Sequence, residues 1–222
     1  MSDHATTTAN AVLVAGGHGR RAGGPKALKI RDGVAMWRWQ VAALRAAGCG
    51  HIAAVLHPSA VPPTSPEPAV PPEALESANA DSVTLPADVV VVPADPDAEM
   101  LASLQVGLAA VATEAQPTFL LPVDCPCPPE RVFATLLRRA ATLTLRGHRW
   151  QVIRPWVQTP TGPRRGHPVL LSPALVQAVR DADPTTGRLD RLIQALDAEV
   201  RVDVEVDDPS ICANFNRDGL SR

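Results

Sequence analysis

The chain has 222 residues, with 21 Lys+Arg against 23 Asp+Glu and a formal charge of -2, a size that fits one α/β domain of ordinary length. Near-balanced charge, no Tyr, three Phe and four Trp exclude a protein that grips a phosphate backbone by bulk charge or stacks bases on aromatic platforms. The longest apolar stretches, such as 106–112, fall far short of the ~20 residues that span a bilayer. The start Ser-Asp-His-Ala-Thr-Thr-Thr has neither the basic nor the apolar part of a secretory signal. A soluble cytoplasmic protein is therefore expected, with no nucleic-acid or membrane partner. Cys49, Cys125, Cys127 and Cys212 show no Cys-x-x-Cys spacing, so reduced, partly buried thiols are expected rather than a disulfide framework or a thiolate metal site.

The predicted elements alternate. Ala11 to Ala15 is a short apolar strand that runs into a glycine cluster. Met36, Trp39, Ala43 and Ala46 recur at helical spacing within 35–47, and Gly48 is a C-terminal stop. Ile52 to Leu56 is a second strand, and the β-branched run Val89 to Val92 is a third, of the kind covered on both faces. Leu101, Leu104, Leu108 and Val111 mark a helix. Phe119 to Leu121 is a fourth strand that ends in the turn-rich Pro122-Val-Asp-Cys-Pro-Cys-Pro-Pro129, before a helix over Val132 to Ala141. Strand-helix-strand order of this kind implies a mainly parallel sheet with helices on both sides. The rhythm then changes. Trp150–Thr159 and His167–Leu171 read as an antiparallel hairpin excursion joined across Thr161-Gly162-Pro163. Leu175–Val179 and Leu189–Leu196 read as helices, and Val200–Val206 alternates like an exposed strand.

Residues 57–87 hold eight of the 23 prolines and no regular apolar spacing. Such a stretch buries too little surface to offset its ordering entropy. The expected organisation is one domain over 1–222 with a Pro-rich surface insertion at about 57–87, extended or disordered.

The most informative residues follow the first strand: Ala15-Gly-Gly-His-Gly-Arg-Arg-Ala-Gly-Gly-Pro-Lys26, with five glycines in the nine positions 16–24. Backbone N–H groups can turn inward here with no Cβ in the way, which makes an anion-binding concavity. Arg20, Arg21 and Lys26 add positive charge around it. Gly17-x-Gly19-x-x-Ala22 matches a dinucleotide fingerprint, but the second strand runs into Leu56-His57-Pro58 with no acidic residue for a ribose. A P-loop needs Gly-Lys followed by Ser or Thr, whereas Lys26 lies between Pro25 and Ala27. A tight loop with solvated charges is the plainer alternative.

The segment Leu13–Lys26 resembles the nucleotide-binding loop of the MobA-like NTP transferases, which attach GMP or CMP to the molybdenum cofactor. Four more segments resemble that family in its order. They are Glu99-Met-Leu-Ala-Ser-Leu-Gln-Val-Gly-Leu108, Val123-Asp-Cys-Pro126, Gly166-His-Pro-Val-Leu170 and Asp208-Pro-Ser-Ile-Cys-Ala-Asn-Phe-Asn216. The resemblance implies an α/β, Rossmann-like three-layer nucleotidyltransferase fold with a mainly parallel sheet. It also implies Mg²⁺-dependent transfer of CMP or GMP from CTP or GTP to a molybdopterin-type phosphate, with pyrophosphate released.

On that resemblance, Ala15, Gly16, Gly17, His18 and Gly19 would line the nucleotide, with backbone N–H groups on the β- and γ-phosphates. Arg21 would hold the departing pyrophosphate, Lys26 would reach the α-phosphate, and Arg20 would join the same patch or face solvent. Asp124 taken alone reads as a helix N-cap; the resemblance makes it the Mg²⁺ ligand, with Asn216 as second ligand. Ser103 is a candidate nucleotide contact and His167 a candidate acceptor contact, each with a solvent-facing alternative. A molybdoenzyme or chaperone would be the partner that receives the product.

The chain departs from the family pattern at Ala22, Pro93, Glu99 and Asn216-Arg217-Asp218. Ala-Gly-Gly at 15–17 resembles the guanylyl branch; Gly166-His-Pro and Val204-Glu-Val-Asp-Asp-Pro209 resemble the cytidylyl branch, which is narrowly favoured. A sugar- or alcohol-phosphate nucleotidyltransferase and a non-catalytic nucleotide-binding or cofactor-chaperone module stay open as alternatives.

Overall fold

Strand β1 (Ala9–Ala15) is buried along its length and sits between β6 (Thr118–Pro122) and β4 (Cys49–Leu56), both parallel to it. Fully buried parallel strands need apolar side chains on both faces, and β1 divides its own accordingly. Ala9, Ala11, Leu13 and Ala15 face one helical layer, and Val12 faces the other. The computed structural model describes residues 9–19, 23–31, 33–62, 86–111, 116–185 and 187–215.

After β1 come a two-residue hairpin, β2 (Ile30–Arg31) with β3 (Val34–Ala35), and helix α1 (Met36–Ala46). Strand β4 leads to β5 (Val89–Pro93), which pairs parallel to it. Helix α2 (Met100–Val111), β6 and α3 (Glu130–Leu145) follow. The last third holds β7 (Val152–Thr159), β8 (Gly162–Arg165), β9 (Val169–Leu171), α4 (Pro173–Asp181), α5 (Leu189–Ala195) and β10 (Arg201–Glu205). The main sheet runs β10-β7-β9-β6-β1-β4-β5, with β8 paired to β7. Helices α1 and α3 cover one face, while α2, α4 and α5 cover the other. Three layers around a mainly parallel sheet are the architecture expected from the sequence.

The excursion is built differently from the expected hairpin. The turn after Thr159 pairs β7 with β8, closing at Thr159 opposite Gly162. The segment expected as the second arm instead forms β9, which inserts antiparallel between β6 and the start of β7. Val169, Leu170 and Leu171 are all buried, so their burial between two strands outweighs the proximity of the turn. Of the Pro-rich segment, 57–62 includes a 3₁₀ turn at Pro58–Ala60 with Ala60 buried, and 63–85 lie outside the described residues.

Two contacts hold the centre of the fold in register. Phe119 on β6 meets Phe133 on α3 edge-to-face at 4.9 Å. The buried Gln40 of α1 donates Nε2 to the Val123 carbonyl at 2.6 Å. That second bond fixes the backbone one residue before Asp124. Among the described residues, no helix is long and apolar enough to cross a membrane.

Candidate active site

Parallel α/β sheets place ligand groups at the carboxyl ends of their strands, and here the ends of β1 and β6 open into a cleft of about 270 Å³. Its walls include Ala15, Gly16, Gly17 and Gly19 from the glycine loop, Ser103 from α2, and Lys26 facing Asp124. The loop needs its glycines for reasons of space. A Cβ at Gly16 would lie 2.3 Å from the Ala94 Cβ, and one at Gly19 would lie 1.9 Å from the Gly24 carbonyl oxygen. Gly19 also has φ +60, the left-handed region, and its carbonyl accepts from Gly24 N–H at 3.3 Å.

Lys26 begins a 3₁₀ turn (Lys26–Leu28) anchored by the buried Ala27. Its Nζ lies 3.2 Å from Asp124 Oδ2, with both side chains about a quarter exposed. The same Oδ2 accepts from Asn214 Nδ2 at 3.3 Å. The backbone of Asp124 is held tightly: Val123 N–H donates to the Val14 carbonyl, and Phe215 N–H donates to the Asp124 carbonyl, both at 2.9 Å. Helix α3 starts at Pro129 as its N-cap, so Asp124 caps no helix.

The neighbours of Asp124 define what it could hold. The Cys125 thiol is pushed up to about 12, first by burial and then by the Asp124 charge, so it stays protonated and offers no soft thiolate. The Asp124 carboxylate is a hard oxygen donor that suits Mg²⁺ or Mn²⁺. An amide oxygen would join it if Asn214 turned its side chain from the N–H···carboxylate bond, with phosphate and water oxygens completing the sphere. Among the described residues, no three acidic, His or Cys side chains form a self-sufficient metal cage.

His167 is largely buried, not on an open surface, and within range of the Asp124 charge. Burial lowers its pKa, against the opposing effects of the Asp124 charge and a hydrogen bond with the Leu120 backbone. Its Nδ1 is buried without a partner among the described residues. The His18 side chain is engaged elsewhere: Nε2 meets Asp97 at 2.8 Å, and the ring packs edge-on against His57 at 5.3 Å. Of the loop residues around it, Gly17 and Gly19 line the cleft. Arg20, Arg21 and Asn216 lie outside the described residues.

Three features were not anticipated from the sequence. Asp95, Pro96 and Met100, between β5 and the first turn of α2, join the cleft wall. Asp97 pins His18. Asn214, two residues before the expected ligand Asn216, is the described asparagine that meets Asp124. Its residue type, shared with Asn216 two positions on, was the usable signal.

The family model for the MobA-like NTP transferase domain matches residues 11–200. The chain belongs to the MobA-like NTP transferase family. No curated protein matches the sequence. Among solved structures, Rv0371c of Mycobacterium tuberculosis H37Rv aligns with a TM-score of 0.63 at 21% identity, covering 94% of this chain and 91% of that one. A structure of Rv0371c in complex with manganese aligns at 0.61 and 21%, over 96% and 93%. The 2-C-methyl-D-erythritol 4-phosphate cytidylyltransferase of Thermus thermophilus aligns at 0.60 and 17%, over 92% and 91%. These likenesses establish a shared fold, and the family establishes a nucleotidyltransferase domain that uses an NTP and a phosphorylated acceptor.

Proposed function

We propose that this MobA-like NTP transferase is a divalent-metal-dependent enzyme that transfers CMP, or alternatively GMP, to the phosphate of a molybdopterin-type cofactor. The observation that carries the reading is Lys26 facing Asp124 across a glycine-lined cleft. In the reaction an acceptor phosphate oxygen bonds to the α-phosphorus of the NTP, and the bond from that phosphorus to the bridging oxygen breaks, releasing pyrophosphate. Such transfers ask for positioning and charge neutralisation rather than covalent help from the protein.

Gly16, Gly17, His18 and Gly19 would supply backbone N–H groups to the outer phosphates. Lys26 would leave its ion pair with Asp124 and bind the α-phosphate as charge builds there. Asp124, with the amide oxygen of Asn214 or Asn216, would hold Mg²⁺, and Rv0371c in its manganese complex supports a divalent ion in this fold. The bound metal would neutralise phosphate charge. Arg21 would steady the leaving pyrophosphate, Arg20 would add to the same field, and Ser103 would meet the nucleotide over Gly16. His167, neutral, largely buried and within range of the Asp124 charge, would meet the acceptor.

A sugar- or alcohol-phosphate acceptor is a second reading, favoured by the likeness to the Thermus methylerythritol-phosphate enzyme over most of both chains. Pyrophosphate release decides between them. It is measured with CTP and GTP, Mg²⁺, and in turn molybdenum cofactor, 2-C-methyl-D-erythritol 4-phosphate and a hexose 1-phosphate. The proposal expects turnover with the molybdenum cofactor, faster with CTP. Turnover with a sugar phosphate alone replaces the acceptor. Nucleotide binding without turnover on any acceptor moves the protein to a non-catalytic, cofactor-chaperone role and overturns the enzyme assignment.

A further inference from the structure

The last described segment, Val206–Phe215, is a strap whose end bonds to Asp124 of the cleft wall, while its fastening lies away from the cleft. Asp208 is the only acidic side chain among the buried polar residues described. Its Oδ1 accepts from Ser210 N–H at 3.0 Å and from Ser210 Oγ, capping the 3₁₀ turn Pro209–Cys212. Its Oδ2 accepts from Nη2 of Arg131, in the first turn of α3. A buried carboxylate with an uncompensated charge is costly, so Asp208 is held where both donors reach it.

What the capped turn touches gives the pair its consequence. The Ile211 carbonyl accepts from His167 N–H at 2.9 Å. The approach is so close that a Cβ on Gly166 would lie 2.0 Å from the Ile211 oxygen. A few residues on, Asn214 meets the Asp124 carboxylate, and Phe215 N–H meets the Asp124 carbonyl. Asp124 thus has two limbs leaving it: its own chain, which enters α3 at Glu130, and the strap. Arg131–Asp208 ties the two limbs together beyond the site. Without that tie, the strap would keep the apolar packing of Val206 and Ile211 with Val132 of α3 but lose its polar side-chain anchor there.

We propose that the Arg131–Asp208 pair is a positioning brace that sets the Asn214 amide and the His167 backbone against Asp124, and so tunes how the site holds its divalent metal and acceptor. Neither residue touches the reacting atoms. The inference rests on the reading of Asp124 as the metal-holding carboxylate. Residues that orient such a ligand from outside commonly alter metal affinity by about 10- to 100-fold when changed.

The test uses the full chain with Arg131→Met and Asp208→Asn. Asn keeps an oxygen for the Ser210 cap and replaces the charged oxygen that faces Arg131 with an amide NH₂. Arg138→Met, on the same helix but bonded to Thr135 one turn back, serves as the control. The first readout is hydrogen exchange, which needs no assumption about function. The brace expects exchange at His167 and Phe215 to rise by about tenfold in both variants, with β1 protection and the control unchanged. The second readout is Mn²⁺ binding followed by electron paramagnetic resonance with CTP present, expected to weaken by about tenfold in both variants. Arg131→Lys should recover part of each loss.

Unchanged exchange in both variants overturns the brace. Faster exchange with undiminished Mn²⁺ affinity overturns its role in positioning the site. If the wild-type chain binds no Mn²⁺ with nucleotide while exchange still responds to both substitutions, the mechanical tie is supported and the transferase reading of Asp124 is the part that fails.

Discussion

Two segments that approach Asp124, one lining the cleft and one behind it, are shaped by opposite means. The described glycines after β1 are shaped by the absence of side chains: the backbone at Gly16 and Gly19 approaches neighbours where no Cβ fits. The strap at 206–215 is shaped by side-chain bonds, Asp208 to Arg131 away from the cleft and Asn214 to Asp124 within the site. The first arrangement leaves N–H groups for an anion and tolerates no added atoms at Gly16 or Gly19. The second tolerates changes of size but not loss of a partner. Substitutions on the two segments should therefore fail in different ways.

The largest effect is expected at Lys26, on the glycine-loop side. Removing a preorganised cation from developing phosphate charge costs about 100- to 1,000-fold in kcat, so Lys26→Met should lose that much turnover while circular dichroism and Tm stay near wild type. Next comes Gly16→Val, which forces atoms into the Ala94 contact; overpacking of this kind costs about 1–3 kcal/mol. Denaturant unfolding should report that loss together with loss of nucleotide binding. Gly17→Ala is the contrast, since a Cβ there meets nothing within 4 Å. It should unfold like wild type.

On the strap side, Asn214→Ala should leave stability within about 1 kcal/mol, the net worth of one hydrogen bond. It should raise the Mg²⁺ concentration needed for half-maximal turnover while leaving KM for the acceptor unchanged. Titrating Mg²⁺ at saturating NTP checks this and sharpens the choice between Asn214 and Asn216, because the variant that moves the metal requirement names the ligand.

The smallest effect is a pH dependence at His167. Burial lowers its folded pKa below the ordinary value of 6.5. Above that value both folded and unfolded states are neutral there, so stability is flat with respect to this group. As pH falls below it, the unfolded chain takes up the proton first and stability drops until the folded pKa is passed. Over a pH range that spans the ordinary histidine value, from neutral to mildly acidic, Tm should fall more steeply for wild type than for His167→Gln.

Much of the glycine-loop side was legible in the sequence because its information is local. A strand, five clustered glycines and a lysine lie within one short stretch, and Asp124 follows directly on a buried apolar run. The strap side was not, because its information is long-range. Arg131 and Asp208 are 77 residues apart, and nothing in either neighbourhood marks them as partners. The place of β9 was hidden for the same reason. Three apolar residues pair as readily with a neighbouring turn as with a distant strand, and only packing between β6 and β7 decides. The β2–β3 hairpin, with two residues per strand, carries too short a pattern to read.

The most direct measurement is calorimetric binding of CTP with Mg²⁺ to the wild-type chain, Lys26→Met and Asp124→Asn. One shared cleft predicts binding to the wild-type chain, weakening by at least about tenfold in each variant, with the Asp124→Asn loss confined to the Mg²⁺-dependent part. Binding that both substitutions leave intact would place the nucleotide elsewhere and contradict the account.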